Sequence, residues 1–174
     1  MNSIVIYKSK TGFAKKYAKW ISEALSCEMI SLDDLNKDDI KDYDMIIYGS
    51  GIMAGKLYQI DKVSQIIDSK QKLYVYACGA IDQEAKDIIL KMKEDCLSTL
   101  GRDVPFYYFQ AGVNYESMGF IYKQMLKMMY KSLLKKKEKT SEEEEMMKAL
   151  KESHDDSKQS DIDILIKNIK QGLN

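Results

Sequence analysis

Residues 4–14 read Ile4-Val5-Ile6-Tyr7-Lys8-Ser9-Lys10-Thr11-Gly12-Phe13-Ala14, and this stretch decides the fold. Ile4 to Tyr7 is a continuous apolar run rich in β-branched residues, the pattern of a strand buried on both faces of a sheet. Lys8 to Gly12 is polar and turn-like. Ala14, Tyr17, Ala18, Ile21, Ala24 and Leu25 then recur at helical spacing with Lys15, Lys16, Lys19 and Glu23 between them. A buried strand, a tight loop and an amphipathic helix in that order are the first half of a βαβ crossover.

The same alternation continues outward. Met29 to Leu32 reads as a second strand, and a polar stretch leads to a third, Asp44 to Tyr48, ending in a glycine loop, Gly49-Ser50-Gly51. Val63, Ile66 and Ile67 suggest a helix, and Leu73 to Ala77 a fourth strand ending at Cys78-Gly79. A longer helix runs from Ala85 through Leu100 to a C-cap at Gly101, and Val104 to Phe109 makes the fifth strand. Ile162 to Ile169 is the last helix. Strands alternating with helices imply parallel pairing through right-handed crossovers, hence an α/β sandwich. At 174 residues the chain is read as one domain, 1–174, with an insertion around 112–160 before the final helix.

Within that insertion Lys123, Lys127, Lys131 and Lys135 repeat every four residues beside Met125, Leu126, Met128, Met129, Leu133 and Leu134, which predicts a basic amphipathic helix. Charge is balanced over the whole chain at 27 basic and 27 acidic residues, yet residues 120–139 carry seven basic and one acidic. The neutral total argues against nucleic-acid binding. A single histidine, His154, excludes a multi-histidine metal site and leaves a His-based triad little room. Cys27, Cys78 and Cys96 are odd in number and widely spaced, so no disulfide framework or iron–sulfur set is expected and a reducing cytoplasm fits best. The N-terminus lacks a basic n-region and no apolar run reaches spanning length, so neither secretion nor membrane spanning is expected.

Two loops carry the candidate chemistry. Ser9-Lys10-Thr11-Gly12-Phe13-Ala14 combines two hydroxyls, a glycine and a helix N-terminus, which suits a phosphate monoester. Taken alone, an ordinary Ser/Thr N-cap is the commoner explanation. The spacing is neither a Walker A nor a GxGxxG loop, and Lys8-Ser9 after the first strand is no acidic magnesium cluster, which sets a phospho-receiver aside. The second loop, Gly49-Ser50-Gly51-Ile52-Met53-Ala54-Gly55-Lys56, follows the third strand. In doubly wound sheets of order 2-1-3-4-5 these two loops flank the switch point, above which ligands bind. Ile52 and Met53 are read as apolar contacts to a flat ring, the alternative being lids on the sheet's own core.

With these motifs the sequence resembles the flavodoxin family: residues 4–14 with the helix through Leu25, and the run Tyr43-Asp44-Met45-Ile46-Ile47-Tyr48-Gly49-Ser50-Gly51-Ile52-Met53-Ala54-Gly55. It looks like the branch that includes the HemG-type protoporphyrinogen oxidases, which also carry a long basic segment after the fifth strand. The resemblance implies an α/β, flavodoxin-like doubly wound five-stranded parallel sheet of order 2-1-3-4-5 with helices on both faces, and noncovalent FMN. Carried over, Ser9, Lys10, Thr11, Gly12, Phe13 and Ala14 would bind the phosphate. Ser50, Gly51, Ile52, Met53, Ala54 and Gly55, with Cys78, Gly79, Ala80, Ile81 and Asp82, would approach the isoalloxazine. Ala14 stands where the family commonly has a hydroxyl residue and Phe13 where Asn or a similar residue is frequent, and neither Ile52 nor Met53 is the aromatic that stacks on the flavin in short-chain members, so weaker FMN binding is expected.

Several single residues have plainer explanations. Cys78 has no nearby base and is assigned no catalytic role; Trp20 reads as core packing, Tyr58 as a surface tyrosine with a contact to the ring as the alternative, and the Asp82/Glu84 pair as helix N-terminal charge with an acidic pair near the ring as the alternative. The lysine helix either packs with its row in water, docks a partner, or lies on an anionic membrane through Lys123, Lys127, Lys131 and Lys135, extended by Lys136, Lys137 and Lys139. Expected function is electron transfer through FMN to a redox partner protein or quinone, in the cytoplasm or peripheral to the inner face of the membrane. The alternatives are a HemG-like FMN-dependent protoporphyrinogen dehydrogenase passing electrons to quinone, and a noncatalytic binding module on the same fold.

Overall fold

The computed structural model describes residues 2–53 and 55–172. Its centre is a parallel sheet of β1 (Ser3–Lys8), β2 (Glu28–Ser31), β3 (Met45–Met53), β5 (Lys72–Gly79) and β6 (Phe106–Gln110), in the spatial order β2-β1-β3-β5-β6. Counting only these five, this is the order 2-1-3-4-5. A short strand, β4 (Lys56–Leu57), pairs antiparallel with the end of β3.

Alternation along each strand divides the core between the two faces. On β1, Val5 points to one layer and Ile4 and Ile6 to the other; on β3, Met45 and Ile47 oppose Ile46 and Tyr48. The first layer is closed by α1 (Phe13–Leu25) and α6 (Asp163–Lys170), whose Tyr17, Ala18, Ile21, Leu165 and Ile169 are buried. The second is closed on α2 (Ile60–Ile66) and α3 (Lys86–Leu97) through Ile60, Val63 and Cys96. Helices thus cover both faces, as a parallel sheet with two apolar sides requires.

Three element boundaries depart from expectation. Gly49, Ser50 and Gly51 are strand rather than loop: Gly49 pairs with Tyr7 and Tyr76, and Gly51 with Cys78. The glycine at 49 answers a packing need, since a Cβ there would lie 1.7 Å from the Tyr76 ring, whose hydroxyl crosses β3 to donate to the Ala14 carbonyl at 2.9 Å. Helix α3 stops at Leu97 rather than at Gly101: beyond it the chain turns, the Leu100 N–H donating to the Leu97 carbonyl at 3.0 Å, while Leu97 and Leu100 still pack on the second layer. The fifth strand starts at Phe106, after Pro105, which has no N–H for the ladder.

The insertion folds as β7 (Gly112–Val113), α4 (Phe120–Lys135), α5 (Ser141–Ala149) and β8 (His154–Asp155), with β7 and β8 paired antiparallel. Two helices therefore stand where one was expected. Helix α5 opens on a capping box: the Thr140 hydroxyl accepts from the Glu143 N–H at 3.2 Å, and the Glu143 carboxylate from the Thr140 N–H at 3.1 Å. Val113, Tyr115, Leu126 and Leu150 form a small core of their own between these pieces.

Candidate functional site

The ends of β1, β3 and β5 and the segment from Ala111 to Val113 form the floor of a cavity of about 330 Å³, and α4 and α5 form its roof. Of the site residues expected from sequence, Ser9, Lys10, Thr11, Phe13, Ala14, Gly51, Ile52, Met53, Gly55, Cys78, Gly79, Ala80 and Ile81 line it. Ser50 does not. It is fully buried in β3, where its hydroxyl donates to the Gly51 carbonyl at 3.1 Å. Asp82 is exposed outside the cavity, its carboxylate accepting the Glu84 N–H at 2.9 Å in a turn ahead of α3. Gly12 is exposed at the base of α1, and Ala54 lies outside the described residues.

The turn after β1 is shaped by its glycine. Gly12 has φ of 94°, a left-handed conformation that only glycine adopts freely, and it occupies the N-cap position of α1 with no side-chain cap. The alternative of an ordinary Ser/Thr N-cap is thereby overturned. Ser9 instead accepts the Gly12 N–H at 3.1 Å, bracing the turn from within. The first intrahelical bond runs from the Lys16 N–H to the Gly12 carbonyl, so the amides of Phe13, Ala14 and Lys15 precede the helical ladder. The side chains of Phe13 and Ala14 are buried. What those residues offer an anion is therefore their backbone. The Thr11 hydroxyl makes no hydrogen bond among the described residues, whereas its carbonyl accepts from Asn114 Nδ2 at 3.4 Å.

Three lysines surround this turn with different fates. Lys8 is paired with Asp33, and Lys16 with Asp155 at 2.8 Å and the Ser157 hydroxyl at 2.7 Å. Lys10 has no carboxylate within ion-pair distance among the described residues. Its ammonium sits 4.6 Å from the centroid of Tyr58 and 5.8 Å from that of Tyr122, a cation held between two ring faces. Tyr58 is thus part of the cavity wall and not a surface tyrosine. Its position is set by the β3–β4 hairpin, where its N–H donates to the Gly51 carbonyl at 3.1 Å and its carbonyl accepts the Tyr48 hydroxyl.

The rest of the lining is apolar, with Ile52 and Met53 on one side and Ala80 and Ile81 on another. Cys78 lies among them, and burial pushes its thiol far above the usual thiol range, so it remains protonated and inert. Trp20 packs edge-on against Tyr17 with ring centroids 5.2 Å apart, in agreement with its reading as core. His154 stands on β8 with Nδ1 3.0 Å from the Glu152 carbonyl and Nε2 3.6 Å from an Asp156 carboxylate oxygen.

Met118, Tyr122, Leu126, Met129, Met146 and Leu150 complete the roof and were not foreseen as site residues. Their methionine-rich helical spacing was legible, but not the cleft against which it packs. The capping box at Thr140 was a usable signal for α5. Chemically, the cavity joins amide donors, a free hydroxyl and an unpaired lysine at one end to a flat apolar slot at the other, which fits a ring compound carrying a terminal phosphate.

Comparison with known proteins is consistent with this chemistry. A family model described as a flavodoxin domain matches residues 4–143. An uncharacterised protein of Methanocaldococcus jannaschii is 30% identical over 110 residues, covering 60% of this chain and 71% of that protein. Among solved structures, oxidised flavodoxin 2 from Bacillus cereus is 18% identical with a TM-score of 0.46, over 63% of this chain and 84% of that one. A flavodoxin from the domain Archaea is 17% identical with a TM-score of 0.42, over 87% of this chain and all of the other.

Proposed function

The chain belongs to the flavodoxin domain family, and from this premise we propose that it holds FMN noncovalently in the cleft and moves electrons through it. The main support is the meeting, in one cavity, of an uncapped helix N-terminus beside Thr11 and Lys10 with the apolar walls from β3 and β5. The amides of Phe13, Ala14 and Lys15 would donate to the phosphate, Thr11 would add a hydroxyl, and Lys10 would contribute charge without desolvating a paired carboxylate. Ile52, Met53 and Tyr58 would bound the ring and exclude water from it. The bound flavin supplies reversible electron transfer, so the protein needs no acid or base of its own.

FMN is favoured over dinucleotides because the turn suits a terminal phosphate and no dinucleotide fingerprint is present. A visible absorption spectrum and mass analysis of the released cofactor test this. Flavin bands with the mass of FMN are expected. FAD, a nicotinamide, or a colourless protein that cannot be reconstituted would overturn it, the last in favour of a binding module.

The roof favours a second reading, a HemG-like FMN-dependent protoporphyrinogen dehydrogenase passing electrons to quinone, because a covered apolar chamber suits an enzyme with a small-molecule substrate better than an open carrier site. Porphyrin fluorescence on incubation with protoporphyrinogen and a quinone, compared with an enzyme-free control, separates the two.

A further inference from the structure

Helix α4 has three faces. Tyr122, Leu126 and Met129 turn toward the cavity, and Leu126 is its one buried residue. The lysines advance by four residues, about 40° further round the helix at each step, so the row spirals from half-buried Lys123, through exposed Lys127, whose ammonium lies 5.9 Å from the centroid of the Tyr115 ring, to exposed Lys131 and Lys135. The third face is apolar and open: Phe120 is 75% exposed, Ile121 85% and Met128 70%, with Met125 beside them. Most of the exposed large apolar side chains of the described residues lie on this one helix.

We propose that this outward face of α4 is a docking surface for an anionic lipid membrane, with Phe120, Ile121, Met125 and Met128 entering the interface and the lysines meeting the headgroups. The charge distribution along α4 selects this occupant. No carboxylate lies within ion-pair distance of Lys123, Lys127, Lys131 or Lys135 among the described residues, whereas Lys136 is neutralised by Glu143 at 2.7 Å. A second copy would bring two like-charged rows together, which disfavours self-association. The face is the surface of a single helix, and long lysine stems can follow headgroups while their neighbours insert. No helix among the described residues is long and apolar enough to cross a membrane, so contact is interfacial. Because the opposite side of α4 roofs the cavity, docking would bring the cleft within roughly one helix diameter, about 10 Å, of the lipid surface.

The surface does not depend on the flavin reading, since none of its residues lines the cleft. Cosedimentation of the full chain with vesicles of phosphatidylcholine, alone or mixed with phosphatidylglycerol, tests it. Binding to the anionic vesicles at low salt, weakened by high salt, is expected. Replacing Lys123, Lys127, Lys131 and Lys135 by glutamine should lower that affinity on the order of a hundred- to a thousandfold and remove the preference. Phe120→Ser with Ile121→Ser should lower it about tenfold or more on both kinds of vesicle, with salt sensitivity retained. Circular dichroism and the cofactor spectrum should not change in either variant. Absence of an anionic preference at low salt, or a glutamine variant that binds like the parent, would overturn the proposal. So would a concentration-dependent dimer in sedimentation velocity that Ile121→Ser dissolves.

Discussion

The two sides of the cleft are built differently. The floor stands on the central sheet, with Val5, Ile47, Tyr48, Val75 and Tyr76 wholly buried behind it. The roof rests on a four-residue core, and α4 and α5 each bury a single residue, Leu126 and Ala149. Polar contacts tie the roof to the rest of the domain: Lys16 to Asp155, Lys91 to Glu142 at 3.5 Å, and Asn114 to the Thr11 carbonyl. Regions with few buried apolar contacts open at lower cost than the whole molecule unfolds. The floor is therefore expected to keep its shape while the roof moves.

High pH should break the floor most severely. Burial pushes the hydroxyls of Tyr48, Tyr76 and Tyr108 well above their usual range. A folded-state pKa raised above the unfolded value of about 10 leaves stability intact below that pH and removes it above, by about 4 kcal/mol per pH unit for three such groups. Unfolding between roughly pH 10 and 12 should coincide in circular dichroism with the rise of tyrosinate absorbance. Ionisation of all the tyrosines in a molecule that stays folded would show the floor to be less closed than it looks.

A substitution in the floor comes next. Gly49→Ala should cost about 3 kcal/mol or more in denaturant unfolding, because the new methyl group meets the Tyr76 ring and the packed sheet has little room to yield. A loss below about 1 kcal/mol would mean that Tyr76 swings away easily.

Thr11→Val should weaken FMN binding by about 1.5 to 3 kcal/mol, around ten- to a hundredfold by fluorescence titration, by removing one hydrogen bond to a charged group. Unchanged affinity would shift recognition to the backbone amides and the roof.

Leu126→Ala sharpens the contrast, with an expected cost of about 2 kcal/mol at the low end for a buried leucine. Hydrogen exchange should accelerate in residues 112–155 and leave β1, β3 and β5 protected. Uniform acceleration would show that roof and floor unfold as one unit. The smallest effect belongs to Lys16→Met, whose half-exposed ion pair with Asp155 is worth about 0.5 kcal/mol and should appear only as faster exchange near β8.

Legibility followed the same division. The strand-loop-helix at residues 4–25, the five strands and the turn at Gly12 were readable because buried strands and amphipathic helices write their burial into local apolar spacing. The extension of β3 through Gly49-Ser50-Gly51 was not, because glycine is normally a strand breaker and the ring that requires it is Tyr76, 27 positions away. Tyr58 was read as surface ahead of a ring contact for a related reason: a lone tyrosine after a glycine-rich segment looks like surface until the β3–β4 hairpin folds it back over Lys10.

Sequence by itself determined the sheet, its crossovers and the anion-suited turn, since each is encoded in contiguous residues whose periodicity or φ preference is local. Only the tertiary structure decided which face of α4 meets the cleft and which stays in water. A helix with apolar residues almost all round leaves that choice open until Leu126 and Tyr122 find a surface to pack on, and the remaining Phe120, Ile121 and Met128 are left outside because no part of the described chain covers them.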